Sequence, residues 1–296
     1  MVFRILTFLL LPVICLAQIN TNGEKPTGEL LSNEVSPIEM KRNASFNVDE
    51  IKVRWKKAAL ENCTGVPCVV APASGCGSIT SVSDYDGNIY ETVSIGTQCW
   101  TKTNLKVTKY NDGTLIPDLT ASTGNPWAPP SGARTEYVGV TGYVGTFGYL
   151  YNWYAATDSR KLCPDGWHVP TDAEWTILIQ ALDPNQVVNS GNVLTFYGFQ
   201  SATAGTVLKS DLGWDAYSSP SPGTNKSGFS ALPGGYRQIS GSFLGIRSYA
   251  SFWSASSSSL FGGLSVWGRD MDYTNGSVNR TNDDPDYGVS VRCLRD

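Results

Sequence analysis

The sequence has 296 residues and a formal net charge of −4. Charged residues make up 16% of it, against about 25% in a typical soluble domain. No run of Lys and Arg is long enough to form a nucleic-acid surface, so nucleic acid is not an expected partner. Thirty glycines and nine tryptophans point to a loop-rich fold anchored by large aromatic side chains.

The first residues read as an export signal: Arg4, the apolar run "ILTFLLLPVICLA" (5–17), and "CLA" before Gln18 as a cleavage site, giving a signal peptide over 1–17. The run is shorter than the roughly 20 residues that span a bilayer. Cys15 sits in "PVIC", where Pro and Ile stand in place of the Leu and small residue of a lipidation signal. No later stretch is apolar enough for a membrane helix, so the expected product is secreted or held at the outer cell surface. Residues 18–75 read as a flexible extension rich in Asn, Glu, Lys and Pro. Within it Ile51, Trp55, Ala58 and Ala59 suggest a short amphipathic helix over 48–62. The folded domain is expected over 76–296.

Loss of Cys15 with the signal leaves Cys63, Cys68, Cys76, Cys99, Cys163 and Cys293. An even number in an exported chain reads as three disulfides, whose pairing the spacing alone does not choose. Zinc is disfavoured, because there is no CxxC pair and only one histidine.

The segment 84–100, "DYDGNIYETVSIGTQCW", reads as a hairpin around Asp86-Gly87. Its Asp84, Asp86 and Asn88 invite a calcium loop, but Gly87 comes too early and no closing Glu follows, so a plain turn is favoured. "GYLYNWYAATD" (148–158), with aromatic residues on more than one face, reads as a buried helix. "PTDAEWTILIQAL" (170–182) is the clearest helix. Thr171 and Glu174 form a capping box, and Trp175, Leu178, Ile179 and Leu182 make one apolar stripe. The last third alternates short apolar runs with Gly, Ser and Asn, as short strands joined by long loops.

The single histidine, His168, lies five residues after Cys163. Catalysis would need a thiolate and an orienting partner, whereas an exported cysteine is expected to be oxidised. His168 therefore reads as structural, packed before a helix start, and no catalytic residue is expected.

The motifs "DYDGNIYETVSIGTQCWTKTNLKVTKYNDGTLIP", "GYLYNWYAA", "LCPDGWHVPTDAEW", "LKSDLGW", "TNKSGFSALPGGYR", "FWSAS" and "GVSVRCLRD" occur in this order. Together they resemble the Fibrobacter succinogenes major paralogous domain, a family of exported bacterial surface proteins, over about residues 76–296. The resemblance implies an α+β, C-type-lectin-like fold: two helices, small antiparallel sheets and long loops that carry whatever is bound. It also implies a disulfide from the first helix region to the last strand, which Cys163 and Cys293 would make. Cys76 with Cys99, and Cys63 with Cys68, are the further expected pairs.

On this reading the chain is a non-catalytic adhesion or recognition protein for an extracellular glycan or protein ligand. Aromatic platforms with polar neighbours would supply the site. The last third offers Tyr236, Arg237, Phe252, Trp253, Trp267, Arg269, Asp270, Asp272, Tyr273 and Asn275. Of these, Trp253 and Trp267 read first as strand core and second as ligand contacts, whereas Arg269, Asp272, Tyr273 and Asn275 are expected to be exposed. Glu-Pro-Asn, Gln-Pro-Asp and Trp-Asn-Asp calcium patterns are missing. Asp283, Asp284 and Asp286 are weak candidates for a hard cation, and an acidic turn is the plainer reading. Two alternatives remain at this point. One is a structural or assembly part of the cell envelope. The other is an enzyme of the formylglycine-generating branch, disfavoured because that chemistry uses a pair of active cysteines.

Overall fold

The capping box predicted at Thr171 is formed, and it starts the one long helix of the described residues. Thr171 Oγ1 accepts from the Glu174 backbone N–H at 3.3 Å, and Glu174 Oε2 accepts from the Thr171 N–H at 2.7 Å. This computed structural model describes residues 75–121, 131–140, 142–185, 198–215, 223–258 and 264–296, all within the unit Val69–Asp296. The expected signal, the helix over 48–62, Cys63 and Cys68 lie outside the described residues.

In chain order the elements are β1 (Ser81–Ser83), β2 (Ile89–Ile95), β3 (Gln98–Thr101), β4 (Arg134–Thr135), α1 (Tyr143–Phe147), β5 (Leu150–Tyr151), α2 (Trp153–Ala156), β6 (Trp167–His168) and α3 (Asp172–Leu182). They continue with β7 (Gly198–Ser201), α4 (Ala204–Leu208), β8 (Gly234–Arg237), β9 (Phe243–Ile246), β10 (Tyr249–Ser258), β11 (Ser265–Asp272), β12 (Val278–Asp283) and β13 (Leu294–Arg295). The architecture is mixed α+β, mostly strands. One sheet runs β1-β2-β3-β13-β6, a second runs β7-β12-β11-β10-β8-β9, and β4 pairs with β5.

The Asp86-Gly87 turn joins β1 to β2, and a second turn at Gly96 joins β2 to β3, so the predicted hairpin is the middle of a meander. Asp84 is spent on that first turn. Its carboxylate accepts from the N–H groups of Asp86 and Asn88, from Asn88 Nδ2, and from the Tyr90 hydroxyl at 2.6 Å.

The helix expected over 148–158 is instead a two-residue strand and a single helical turn. Leu150 and Tyr151 are drawn into pairing with Thr135 and Arg134. Asn152 then caps α2, its Oδ1 accepting from the Ala155 N–H at 3.0 Å. The aromatic residues on several faces are buried by strand, turn and neighbours together.

The second sheet is not wholly antiparallel. β8 meets β10 in parallel at Ala250 and Gly235. Gly235 has φ of +68°, and a Cβ there would lie 2.4 Å from the Leu244 carbonyl oxygen, so only glycine fits this crossing.

α3 packs its stripe on one face of the second sheet. Trp175, Leu178 and Ile179 are buried there with Trp100, Phe229, Ala250, Phe252 and Met271. Trp100 and Trp175 rings lie 4.8 Å apart, and Trp175 Nε1 donates to the Trp253 carbonyl at 3.2 Å. Two disulfides close the unit, Cys76–Cys99 and Cys163–Cys293, across 23 and 130 positions. The second ties the segment before β6 to the segment before β13.

Candidate functional site

Alternation along β11 divides the candidate residues between two faces of the six-stranded sheet. Arg269 and Met271 point towards α3. Arg269 Nη1 donates to Asp172 Oδ1 at 2.8 Å, and from β12 Arg280 grips the same carboxylate through Nε at 2.8 Å and Nη2 at 2.6 Å. Asp172 is the first residue of α3, so one buried carboxylate binds the helix start to two strands. Burial alone would raise Asp172, but Arg280 and Arg269 hold it below the usual carboxylate range. The Arg280 guanidinium also lies 3.5 Å from the Trp267 ring centroid.

This overturns several expected ligand contacts. Arg269 is fully buried, its charge met by Asp172 97 positions away, a partner its polar sequence neighbourhood does not reveal. Trp253 and Trp267 are core, with Trp253 Nε1 donating to the Tyr151 carbonyl at 2.7 Å. Arg237 is buried too, its guanidinium over the Phe243 ring and donating to the Gln238 carbonyl. Asp272, Tyr273 and Asn275 lie in a turn that the Asp272 and Asn275 side chains serve, while Tyr273 packs half-buried against the core around Trp175. Asp272 Oδ1 accepts from the Thr274 N–H at 2.7 Å, and Asn275 Oδ1 from the Ser277 N–H at 2.8 Å. The Lys209 ammonium, pushed down to about 8 by burial, donates to the carbonyls of Asp272 and Asn275 from beneath.

The opposite face of the same sheet carries a cleft. Tyr236 from β8, Tyr249 and Ser251 from β10, Asp270 from β11 and Asp283 from β12 line it, with Tyr287 and Val289 from the segment after β12. Its volume is about 200 Å³. The Tyr236 and Tyr287 rings are stacked at 6.2 Å and 24°, while Tyr249 stands edge-on to Tyr236 at 6.2 Å and 78°.

Gly268 makes the floor possible. In register Asp283 opposes Val266, yet its Oδ2 lies 3.1 Å from where a Cβ on Gly268 would stand. The carboxylate therefore leans along β11 towards Asp270. Burial and the Asp283 charge push the Asp270 carboxyl upward, and burial does the same to Asp283. Two carboxyls this close do not both ionise in the ordinary range. All three tyrosines are raised, by burial first and then by the neighbouring acids and phenols.

Of the sequence candidates, the structure brings Tyr236, Asp270 and Asp283 to this cleft. The weak cation candidates Asp283, Asp284 and Asp286 do not converge, and the favoured acidic turn is what forms. Asp284 Oδ1 accepts from the Asp286 N–H at 2.9 Å, closing an acidic turn, while Asp283 faces the cleft. Among the described residues no group of three His, Cys, Asp or Glu side chains is set to hold a metal. Tyr249, Ser251 and Tyr287 were missed. Tyr249 and Ser251 share the parity of Trp253, so alternation would have placed them together once β10 was known to be a strand.

His168 sits elsewhere, beside a second cleft lined by Thr157, Asp158, Lys161, Cys163 and Asp296. Its Nε2 meets Glu174 Oε1 at 3.0 Å and its Nδ1 meets Asp296 Oδ1 at 2.5 Å. The Glu174 bond, opposed by burial and reinforced by Asp296, raises the imidazole. Burial works against it, but His168 and Thr171 hold Glu174 down to about 2. The Cys163 sulfur beside it is bonded to Cys293. This histidine thus ties β6, the start of α3 and Asp296 together.

No helix of the described residues is long and apolar enough to cross a membrane. The family model of the Fibrobacter succinogenes major domain matches residues 93–295. No curated protein and no solved structure matches the chain.

Proposed function

We propose that this chain, which belongs to the Fibrobacter succinogenes major domain family, is an exported, non-catalytic recognition module of the bacterial cell surface. The observation that carries this reading is the tyrosine-lined cleft. It offers three half-exposed rings and two carboxyls on a face of the sheet whose other face is held rigid by the Asp172 pair of arginines. Recognition sites combine such aromatic walls with a few fixed polar groups.

A C-type-lectin-like architecture belongs to the same proposal. Its support is the mixed pair of sheets and the bridge from the segment before β6 to the segment before the last strand. A non-catalytic role is favoured by the oxidised Cys163 and by a histidine whose two nitrogens are both occupied by carboxylates. Export rests on the signal-like residues 1–17.

The test is a screen of the secreted, non-reduced protein against glycan and surface-protein arrays, with and without chelator. Binding is expected, and Tyr236→Ala and Tyr287→Ala should each weaken it while Asn275→Ala leaves it intact. Turnover of a substrate, or binding indifferent to both tyrosine variants, would overturn the proposal.

A further inference from the structure

We infer that the cleft takes an organic cation, an alkylammonium or quaternary ammonium group seated on the tyrosine faces and against the Asp270 and Asp283 carboxyls. The inference rests on the recognition reading above and narrows it to a ligand chemistry.

Among the described residues the lining contains three phenol rings, one hydroxyl, one valine and two carboxyls, with no Lys, Arg or His. The ionisable groups that face it, among the described residues, are all acids. Tyr236 comes from β8, Tyr249 from β10, Asp270 and Asp272 from β11, Asp283 from β12, and Asp284 and Tyr287 from the turn beyond. The cations near these strands are engaged elsewhere: Arg269 and Arg280 hold Asp172 on the opposite face, Arg237 at the end of β8 lies over the Phe243 ring and donates to the Gln238 carbonyl, and Lys209, just after α4, holds the carbonyls of Asp272 and Asn275. The described walls therefore gather acidic groups with no basic side chain among them.

Two features then favour a positive organic guest over a neutral one. Ring faces carry negative quadrupole density and attract ammonium groups, and the paired phenols of Tyr236 and Tyr287 with the upright Tyr249 offer several such surfaces. A cation beside Asp270 and Asp283 also relieves the repulsion between the two carboxyls and lets both ionise. A neutral sugar could stack on the same rings but would leave that repulsion in place. Size points the same way: about 200 Å³ is below the usual range for drug-sized ligands, roughly 300–1,000 Å³. It suits a terminal group of a few heavy atoms.

The experiment is calorimetry on the secreted protein with three probes: choline, its neutral carbon isostere 3,3-dimethyl-1-butanol, and a panel of neutral oligosaccharides. Choline should bind at least about tenfold more tightly than the isostere. Because choline does not titrate, its affinity should rise with pH through the range where the carboxyl pair gives up its proton. Heats in buffers of different ionisation enthalpy should show protons released on binding. Asp270→Asn and Tyr287→Leu, each checked for an unchanged melting temperature, should weaken choline by about tenfold. Equal binding of the isostere, or choline binding untouched in both variants, overturns the inference. Neutral oligosaccharides that bind in a Tyr287-dependent way where choline does not would overturn the cation and leave recognition standing. Failure of every probe and of the array screen would remove both.

Discussion

Glu174 serves two partners with one carboxylate: it caps α3 at Thr171 and holds His168. Its removal should cost more than an ordinary cap. Glu174→Ala is expected to lose about 1–2 kcal/mol in urea denaturation, and Glu174→Gln, which keeps the cap geometry but not the charge, should lose less. The same contact makes stability depend on pH in two directions. His168 is raised on folding, so its contribution is whole below the ordinary imidazole value and fades as pH climbs through the elevated one. Glu174, lowered to about 2, contributes above the ordinary carboxylate value and loses its share as pH falls towards 2. The His168-dependent part of stability, measured as wild type against His168→Gln, should peak in weak acid. A flat difference from pH 4 to 8 would refute the linkage. The tie of His168 to the start of α3 was legible from its place before Pro170 and Thr171. Its partner Asp296 was not, because the contact spans 128 positions.

At the scale of elements, helix α3 could be read from sequence because everything that makes it is local: a cap, a box and one stripe of Trp175, Leu178 and Ile179. Strand faces could not. Trp253 and Arg269 look alike as binding residues until β10 and β11 are paired, and only then does parity send Arg269 to Asp172 and Asp270 to the cleft. The 148–158 segment failed for a related reason, since its aromatic residues answer to tertiary neighbours rather than to a helical period. The helix-to-sheet joint has a measurable strength. Asp172→Ala should destabilise by about 3–5 kcal/mol, because it leaves two buried guanidinium groups without their anion. Replacing Arg269 as well, as Asp172→Ala with Arg269→Met, should recover part of that loss in chemical denaturation. If the double variant is no better than the single, charge burial is not the cause.

For the whole molecule, the long bridge should matter more than the short one. Loop-closure entropy grows with the number of residues enclosed, so Cys163→Ser with Cys293→Ser is expected to cost about 4–5 kcal/mol and Cys76→Ser with Cys99→Ser about 3 kcal/mol. Equilibrium unfolding of the two double variants checks the order. The long pairing was anticipated through family likeness and the short one because Cys76 and Cys99 flank the first hairpin, since six cysteines alone do not say which joins which. The position of β13 has a temporal consequence. It lies between β3 and β6, and its neighbour Cys293 accepts from Thr101, made 192 residues earlier. Until residues 293–295 have been made, a nascent chain therefore lacks the strand that joins β3 to β6. A chain stopped at residue 288 should remain open to protease where the chain through 296 is closed to it; equal resistance would mean that the first strands close without waiting.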